Sequence, residues 1–293
     1  MAAKAKTAAR LPVAKTYKLY IGGKFPRSES GRYFTIEDRK GRVLANVCRG
    51  SRKDFREAVV AAREAQGGWA AASAYLRGQI LYRIAEMLEG RRAQFVDELR
   101  LQGVTSRAAG KEVDASIDRL VYFAGWADKY QQVFSAVNPV ASSHFNFSVL
   151  EPTGVVAIIA PDDSGLLGLV SNVAPTVVGG NTCVVLASET LPLTAVSFAE
   201  VLHASDVPGG VVNILTGHRS ELTNQFASHM DVNAIVYCDA DRKAAAAIQE
   251  TAADNIKRVI PRVGTDWSRA DAQHPYLIRD TQEVKTTWHP IGV

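Results

Sequence analysis

Five short apolar runs separated by helix-like segments constrain this chain more than any other feature. The runs are Gly154–Ala160 (GVVAIIA), Thr182–Leu186, Val211–Thr216, Asn233–Cys238 and Lys257–Val263. Gly154–Ala160 is continuous rather than alternating, as in a strand covered on both faces, and Thr182–Leu186 reads as a second buried strand. Between them Leu166–Val178, Leu193–His203, Ser220–Ser228 and Asp241–Ala252 read as helices. Strands joined through helices require right-handed crossovers and a parallel sheet. The expected fold class is α/β.

Upstream, Tyr17–Phe25 (YKLYIGGKF) alternates and meets Gly22-Gly23, which predicts a strand and a turn. Tyr33–Cys48 predicts a hairpin around Lys40-Gly41. Ser51 is an N-cap before a helix carrying Phe55, Val59, Ala62 and Ala65 on one stripe, stopping at Gly67-Gly68. A long helix is expected from about Tyr75 to Leu101, and another from about Lys111 to Tyr130. In His144–Leu150, Phe145, Phe147 and Val149 alternate with His144, Asn146 and Ser148, the pattern of a half-exposed strand.

The 293 residues suffice for one large domain, or one plus an appendage. Hydrophobic content is 47%, charged content 22% and net charge +4, ordinary for a globular protein. Residues 1–18 carry Lys4, Lys6, Arg10, Lys15 and Lys18 and no acid, so they read as a flexible basic tail or a transit peptide. No apolar window is long enough to span a membrane, and no dense basic face with aromatics points to nucleic acid. Cys48, Cys183 and Cys238 are too scattered for a disulfide framework or metal clip, and a cytoplasmic setting is expected. The six histidines are singletons. No metal is expected.

GVVAIIAP (154–161), GGNTCVVLASETLPLTA (179–195), VPGGVVNILTG (207–217) and the run at 233–238, in that order and spacing, resemble the aldehyde dehydrogenase superfamily. YIGGKF (20–25), FREAVVAAREAQGGWA (55–70) and LRGQILYRIAEML (76–88) resemble its N-terminal strand and first helices. The resemblance implies a Rossmann-like parallel sheet with flanking helices and a small antiparallel β arm. It also implies hydride transfer to NAD(P), a nucleophilic cysteine and a glutamate base.

Residue by residue, the family's chemistry is altered. Its oxyanion-donating Asn falls at Asp163, in Pro161-Asp162-Asp163-Ser164-Gly165, and a carboxylate accepts rather than donates. Asp162 and Asp163 read either as a helix-capping pair or as acid–base or metal groups. The family's ribose clamp becomes Leu186-Ala187-Ser188-Glu189, leaving Glu189 as a ribose acceptor or a solvated acid. Its pyrophosphate turn becomes Tyr237-Cys238-Asp239-Ala240, with the Asp239 carboxylate in the anion's place. Arg262 stands at the general base. Of the three cysteines, Cys238 lies nearest the cofactor position, and Cys183 is expected to be an inert buried thiol.

The resemblance also implies an organisation. Residues 1–17 form a tail. Residues 18–130 and 152–265 form a degenerate NAD-binding-type domain, and 131–151 with 276–293 form an oligomerisation arm. The family's catalytic domain, which lies between the general-base strand and the last strand, is replaced by a short segment. In the family the arm adds strands to a neighbouring subunit's catalytic sheet. The expected function is a non-catalytic subunit, without a cofactor, that associates with a full-length aldehyde dehydrogenase. Homo-oligomerisation through the C-terminal strand is the other assembly considered. The alternatives are a residual NAD(P)-binding oxidoreductase, or a new small-molecule or metal site at Asp162, Asp163, Asp239 or Arg262.

Overall fold

The computed structural model describes residues 13–38 and 40–292. Most of the expected basic tail lies outside the described residues. Its last two residues, however, form β1 (Thr16–Tyr17), which pairs in parallel with β3 (Val43–Cys48). β3 also takes the antiparallel partner β2 (Tyr33–Glu37), so the predicted hairpin is present. The expected strand at Tyr17–Phe25 reduces to isolated bridges, Tyr20 with Ile214 and Ile21 with Lys24, around a turn at Gly22 and Gly23. Both glycines have positive φ, which the turn requires.

Five helices follow. α1 (Arg52–Ala71) starts at Ser51, whose hydroxyl accepts from the Lys53 and Asp54 amides while Asp54 accepts in return from the Ser51 amide. This is a capping box with Asp in the usual Glu position. The helix does not stop at Gly67-Gly68 as predicted. Trp69 lies buried just beyond, its indole N–H donating to Val177 O at 2.8 Å, and this anchorage outweighs the roughly 1 kcal/mol each glycine costs. The expected single helix from Tyr75 to Leu101 is two, α2 (Ala74–Gly90) and α3 (Arg92–Leu101), broken at Gly90-Arg91. α4 (Ser106–Trp126) starts earlier than predicted because Thr105 caps it, and short α5 (Tyr130–Phe134) follows.

The arm comes next: β4 (Ala136–Asn138) and β5 (His144–Pro152). The main sheet then builds through β6 (Val155–Ile159), α6 (Leu167–Val178), β7 (Thr182–Leu186), α7 (Leu193–His203), β8 (Val212–Leu215), α8 (Arg219–Ser228), β9 (Ala234–Tyr237), α9 (Arg242–Ala252) and β10 (Arg258–Pro261). All five strands are parallel, in the order β10-β9-β6-β7-β8. The strand order reverses at β6, as in doubly wound sheets.

The two faces of the sheet bury two cores, because alternate strand residues point to opposite sides. Val156, Ile158 and Ala160 join α2, α3, α4, α6 and α7 on one face. Val155, Ala157 and Ile159 join α1, α8 and α9 on the other, where Phe55 and Phe226 stack at 4.1 Å. The chain ends in α10 (Tyr276–Arg279) and β11 (Gln282–Pro290). α10 does not belong to the arm as expected: Leu277 and Ile278 are buried in the main core. β11 pairs antiparallel with all nine residues of β5, giving the arm sheet the order β11-β5-β4. Among the described residues no helix is long and apolar enough to cross a membrane.

Replacing Phe55 by Ala removes a fully buried ring from the second core. The expected loss is about 3–5 kcal/mol, read as a lowered midpoint in urea unfolding followed by circular dichroism.

Candidate functional site at the carboxyl edge of the sheet

Open α/β sheets bind ligands in the crevice outside the strand carboxyl ends, where the strand order reverses. Here that crevice lies between β6 and β9. The loop after β6 brings Asp162 to it, and the loop after β9 brings Asp239. Between them sits Arg219, the first residue of α8. Its Nη1 donates to Asp239 Oδ2 at 3.1 Å, and its Nη2 donates to Ala160 O and lies 3.5 Å from Asp162 Oδ1. The Arg219 side chain is 15% exposed. A guanidinium of the protein itself therefore occupies the crevice, and sequence reasoning did not single it out.

The flanking groups are engaged in the same way. Asp162 does not cap the following helix. Its Oδ1 accepts from the Glu189 amide at 2.6 Å, the Thr190 amide at 3.1 Å and the Ser188 hydroxyl at 3.1 Å, tying the loop after β6 to the loop after β7. The cap of α6 comes from Glu112 on α4, whose Oε1 accepts from the Ser164 hydroxyl and the Leu166 and Leu167 amides at 2.9–3.2 Å. Asp163 is exposed beside Ser164. It borders a cleft of about 480 Å³ with Lys111, Asp266 and Trp267. Glu189 is not a free acceptor: its carboxylate lies 2.6 Å from His218 Nδ1 and accepts from the Arg219 amide at 2.9 Å, capping α8. Asp239 also accepts from the Ala240 amide, and Asp241 takes the first-turn amides of Lys243 and Ala244 in α9.

Arg262 belongs to a different cluster. It is 8% exposed, and its two Nη atoms donate to Asn172 Oδ1 and Asp280 Oδ2. Close by, Arg119 of α4 is 3% exposed and lacks a carboxylate partner among the described residues. It donates instead to Gln273 Oε1, Ser171 Oγ, Ala272 O and Trp267 O, at 2.7–3.1 Å. Burial holds its pKa below the ordinary arginine value. The two arginines together fasten segment 262–281, the piece that connects β10 to the arm. The four residues named from the sequence are thus not one site. Asp162 and Asp239 converge on Arg219, Arg262 turns to Asp280, and Asp163 faces solvent. Among the described residues no group of three or more His, Cys, Asp or Glu is placed to hold a metal ion.

All three thiols are buried. Burial pushes Cys238 up to about 12, despite the opposing pull of Arg262 and Arg219, and it pushes Cys183 higher still. Cys238, the candidate nearest the cofactor position, is therefore held as the unreactive thiol.

A five-stranded parallel sheet with a filled switch-point crevice and a three-stranded arm is a nucleotide-binding-type α/β unit. The family model described as "Aldehyde dehydrogenase family" matches residues 25–266. Mouse cytosolic 10-formyltetrahydrofolate dehydrogenase is 32% identical over 265 residues, covering 88% of this chain and 29% of that protein. Hydroxyisobutyraldehyde dehydrogenase of Mycolicibacterium austroafricanum is 36% identical over 225 residues, 75% of this chain and 43% of that one. The NAD+ complex of Bacillus cereus aldehyde dehydrogenase superposes with a TM-score of 0.80 at 26% identity, covering 85% of this chain and 51% of that one. The chain belongs to the aldehyde dehydrogenase family. It spans less than a third of the mouse protein's length and about half that of the Bacillus enzyme.

The fold thus implies a dinucleotide, and the residues do not fit one. A pyrophosphate needs free amides and a positive helix end. Here Asp241 already holds the first-turn amides of α9, Asp239 stands at the turn, and Arg219 is neutralised by two carboxylates.

Two measurements follow from this chemistry. With Ellman's reagent the native chain is expected to release almost no thiolate colour, and all three thiols should react only in denaturant. Stability should also fall on the acid side. Burial, reinforced by Arg262 and Arg119, holds His274 below 6.5 against the pull of Asp280 and Asp271. Burial, with Lys257 and Arg56, does the same to His229 against Asp231. Both imidazoles gain a proton more readily when unfolded. Their contribution is complete above about pH 6.5 and is lost as pH falls through the lower folded values. Urea midpoints across pH 7 to 5 should decline, and H229Q/H274Q should flatten that decline.

Proposed function

We propose that this chain is a non-catalytic aldehyde dehydrogenase-like subunit that docks through its β arm onto a complete aldehyde dehydrogenase and stabilises or regulates it. The observation that carries the reading is the arm's face. Residues paired across strands point to the same side of a sheet. Val137, Phe145, Phe147 and Val149 therefore share one face, with Lys285, Thr287 and His289 of β11 alongside. Val137 and Phe145 are exposed, and the Phe145 and Phe147 rings lie 5.5 Å apart.

The other face holds the polar ladder. Asn138 donates to Asn146 Oδ1 at 2.6 Å and to Ser148 Oγ at 2.9 Å, and Ser148 Oγ lies 2.8 Å from Thr286 Oγ1. On β5 the side with Phe145 is turned outward and the side with Asn146 and Leu150 inward, and on β11 Val284 and Trp288 stand exposed on that second side. β11 also leaves a nine-residue outer edge of the arm sheet unpaired among the described residues. A long open edge beside an apolar face suits strand addition by a partner. By analogy with the family, we take that partner to be the catalytic-domain sheet of a full-length relative.

The filled crevice and the buried thiols support a role other than turnover. Segment 262–281, internal to the chain, links β10 to β11 through α10.

The test is light scattering after size exclusion, with the purified chain and a complete aldehyde dehydrogenase from the same genome. A stable heteromer is expected, and Phe145→Asp with Val137→Asp should weaken it at least tenfold while leaving the melting temperature within a few degrees. A chain that stays separate from such enzymes, or that consumes its own arm in a closed homo-oligomer, overturns the reading.

A further inference from the structure

β11 is the outermost strand of the arm sheet, and its outer edge is unpaired among the described residues. One side of the strand carries Val284, Thr286 and Trp288, opposite Leu150, Ser148 and Asn146 of β5. This is the side turned away from Phe145. Val284 and Trp288 stand exposed on it, with Thr286 midway between them. The Thr286 hydroxyl lies 2.8 Å from Ser148 Oγ, to which Asn138 also donates. A ladder of polar side chains thus crosses the sheet and stops at the open edge. The other side of β11 carries Glu283, Lys285, Thr287 and His289. An open edge of this length is a template for a further strand.

Reversed, this strand is complementary to itself. Two copies meeting edge to edge about a two-fold axis form an antiparallel pair in which one residue faces its own copy. Thr286 is the middle of the nine residues of β11, so an axis there opposes the whole strand. Thr286 then faces Thr286, Val284 faces Trp288, Glu283 faces His289 and Lys285 faces Thr287. Directly across strands, threonine pairs, aromatic with β-branched pairs and an acid against an imidazole are each favourable. The neighbouring registers fail. An axis at Lys285 sets two ammonium groups face to face. An axis at Thr287 sets Lys285 against His289 and brings Pro290, which has no N–H to give, opposite Val284. An axis at Val284 or Trp288 opposes only residues 282–286 or 286–290 of the strand.

We propose that β11 pairs with β11 of a second copy of this chain, antiparallel and centred on Thr286. The two arm sheets become one sheet of order β4-β5-β11-β11-β5-β4. The polar ladder then continues through the facing Thr286 hydroxyls into the other copy, and each Trp288 is covered by the other copy's Val284. A single strand pair is a small interface, so the association is weak and reversible. The side with Val137 and Phe145 stays open in the pair, so the arm is not consumed. At low concentration the copies separate and the edge is free for another sheet. The inference goes beyond the docking role and does not require it.

The test is sedimentation velocity of the whole chain, alone, over a series of concentrations. A monomer–dimer equilibrium is expected with Kd between about 1 and 100 µM. Thr286 is exposed, so Thr286→Lys and Thr286→Glu should fold normally, as circular dichroism will show. Each variant sets like charges face to face across the axis and should weaken self-association roughly tenfold or more. An equimolar mixture of the two sets an ammonium opposite a carboxylate and should restore the dimer. Only a pairing centred on this residue predicts that rescue. A chain that stays monomeric well above that concentration range overturns the proposal. So does a Thr286→Lys chain that associates like the unaltered one, or a mixture no more associated than its components. The samples contain no other dehydrogenase, so failure here and failure of the docking role are separate results.

Discussion

Two buried arginines carry the constraint on which this molecule depends. β10 must hand the chain to β11 within segment 262–281, and β11 must then lie along the full length of β5. That segment has little regular structure, so its backbone carbonyls need partners from elsewhere. Arg119 and Arg262 supply or anchor them. One guanidinium spreads its donors over Trp267, Ala272 and Gln273, and the other reaches Asp280 next to the start of the strand. Arginine suits this work because its planar fork holds several acceptors at once and keeps its charge when buried. Asn181 and Arg258 add further contacts to Thr281, Asp280 and Glu283 where the arm strand begins.

The same inward turning of charge describes the crevice. Arg219 stands between the β6 and β9 loops, and Glu189, Asp162, Asp239 and Asp241 each satisfy local amides. In a ligand site such groups are left underused until the ligand arrives. Here they are already paired, apart from Arg219 Nε, which is buried without a partner among the described residues. On the arm, Val137 and Phe145 face outward without a covering.

The sheet was legible because its signals are local. The continuous apolar runs at 154–160, 182–186, 211–216, 233–238 and 257–263 each became a strand of the parallel sheet, trimmed at the ends. Ser51 was legible as a cap for the same reason. The errors arose wherever a distant group decided a local question. Gly67-Gly68 read as a helix stop, and Trp69 binding to Val177 across the core kept the helix going. Asp162 and Asp163 read as a cap, and Glu112, far upstream in the sequence, took that place. Arg219 carried no signal at all: its meaning lies in two loops that only the fold brings together. The alternation of His144–Leu150 was read correctly as a half-exposed strand, but composition could not say that the aromatic side would be the outward one.

We propose a family scaffold that serves docking rather than turnover. Its most direct test is a steady-state assay of the pure chain with a panel of aldehydes and both nicotinamide cofactors. No aldehyde-dependent formation of reduced cofactor is predicted at any substrate concentration. Sustained turnover by the chain alone, surviving repurification away from every other dehydrogenase, would contradict it.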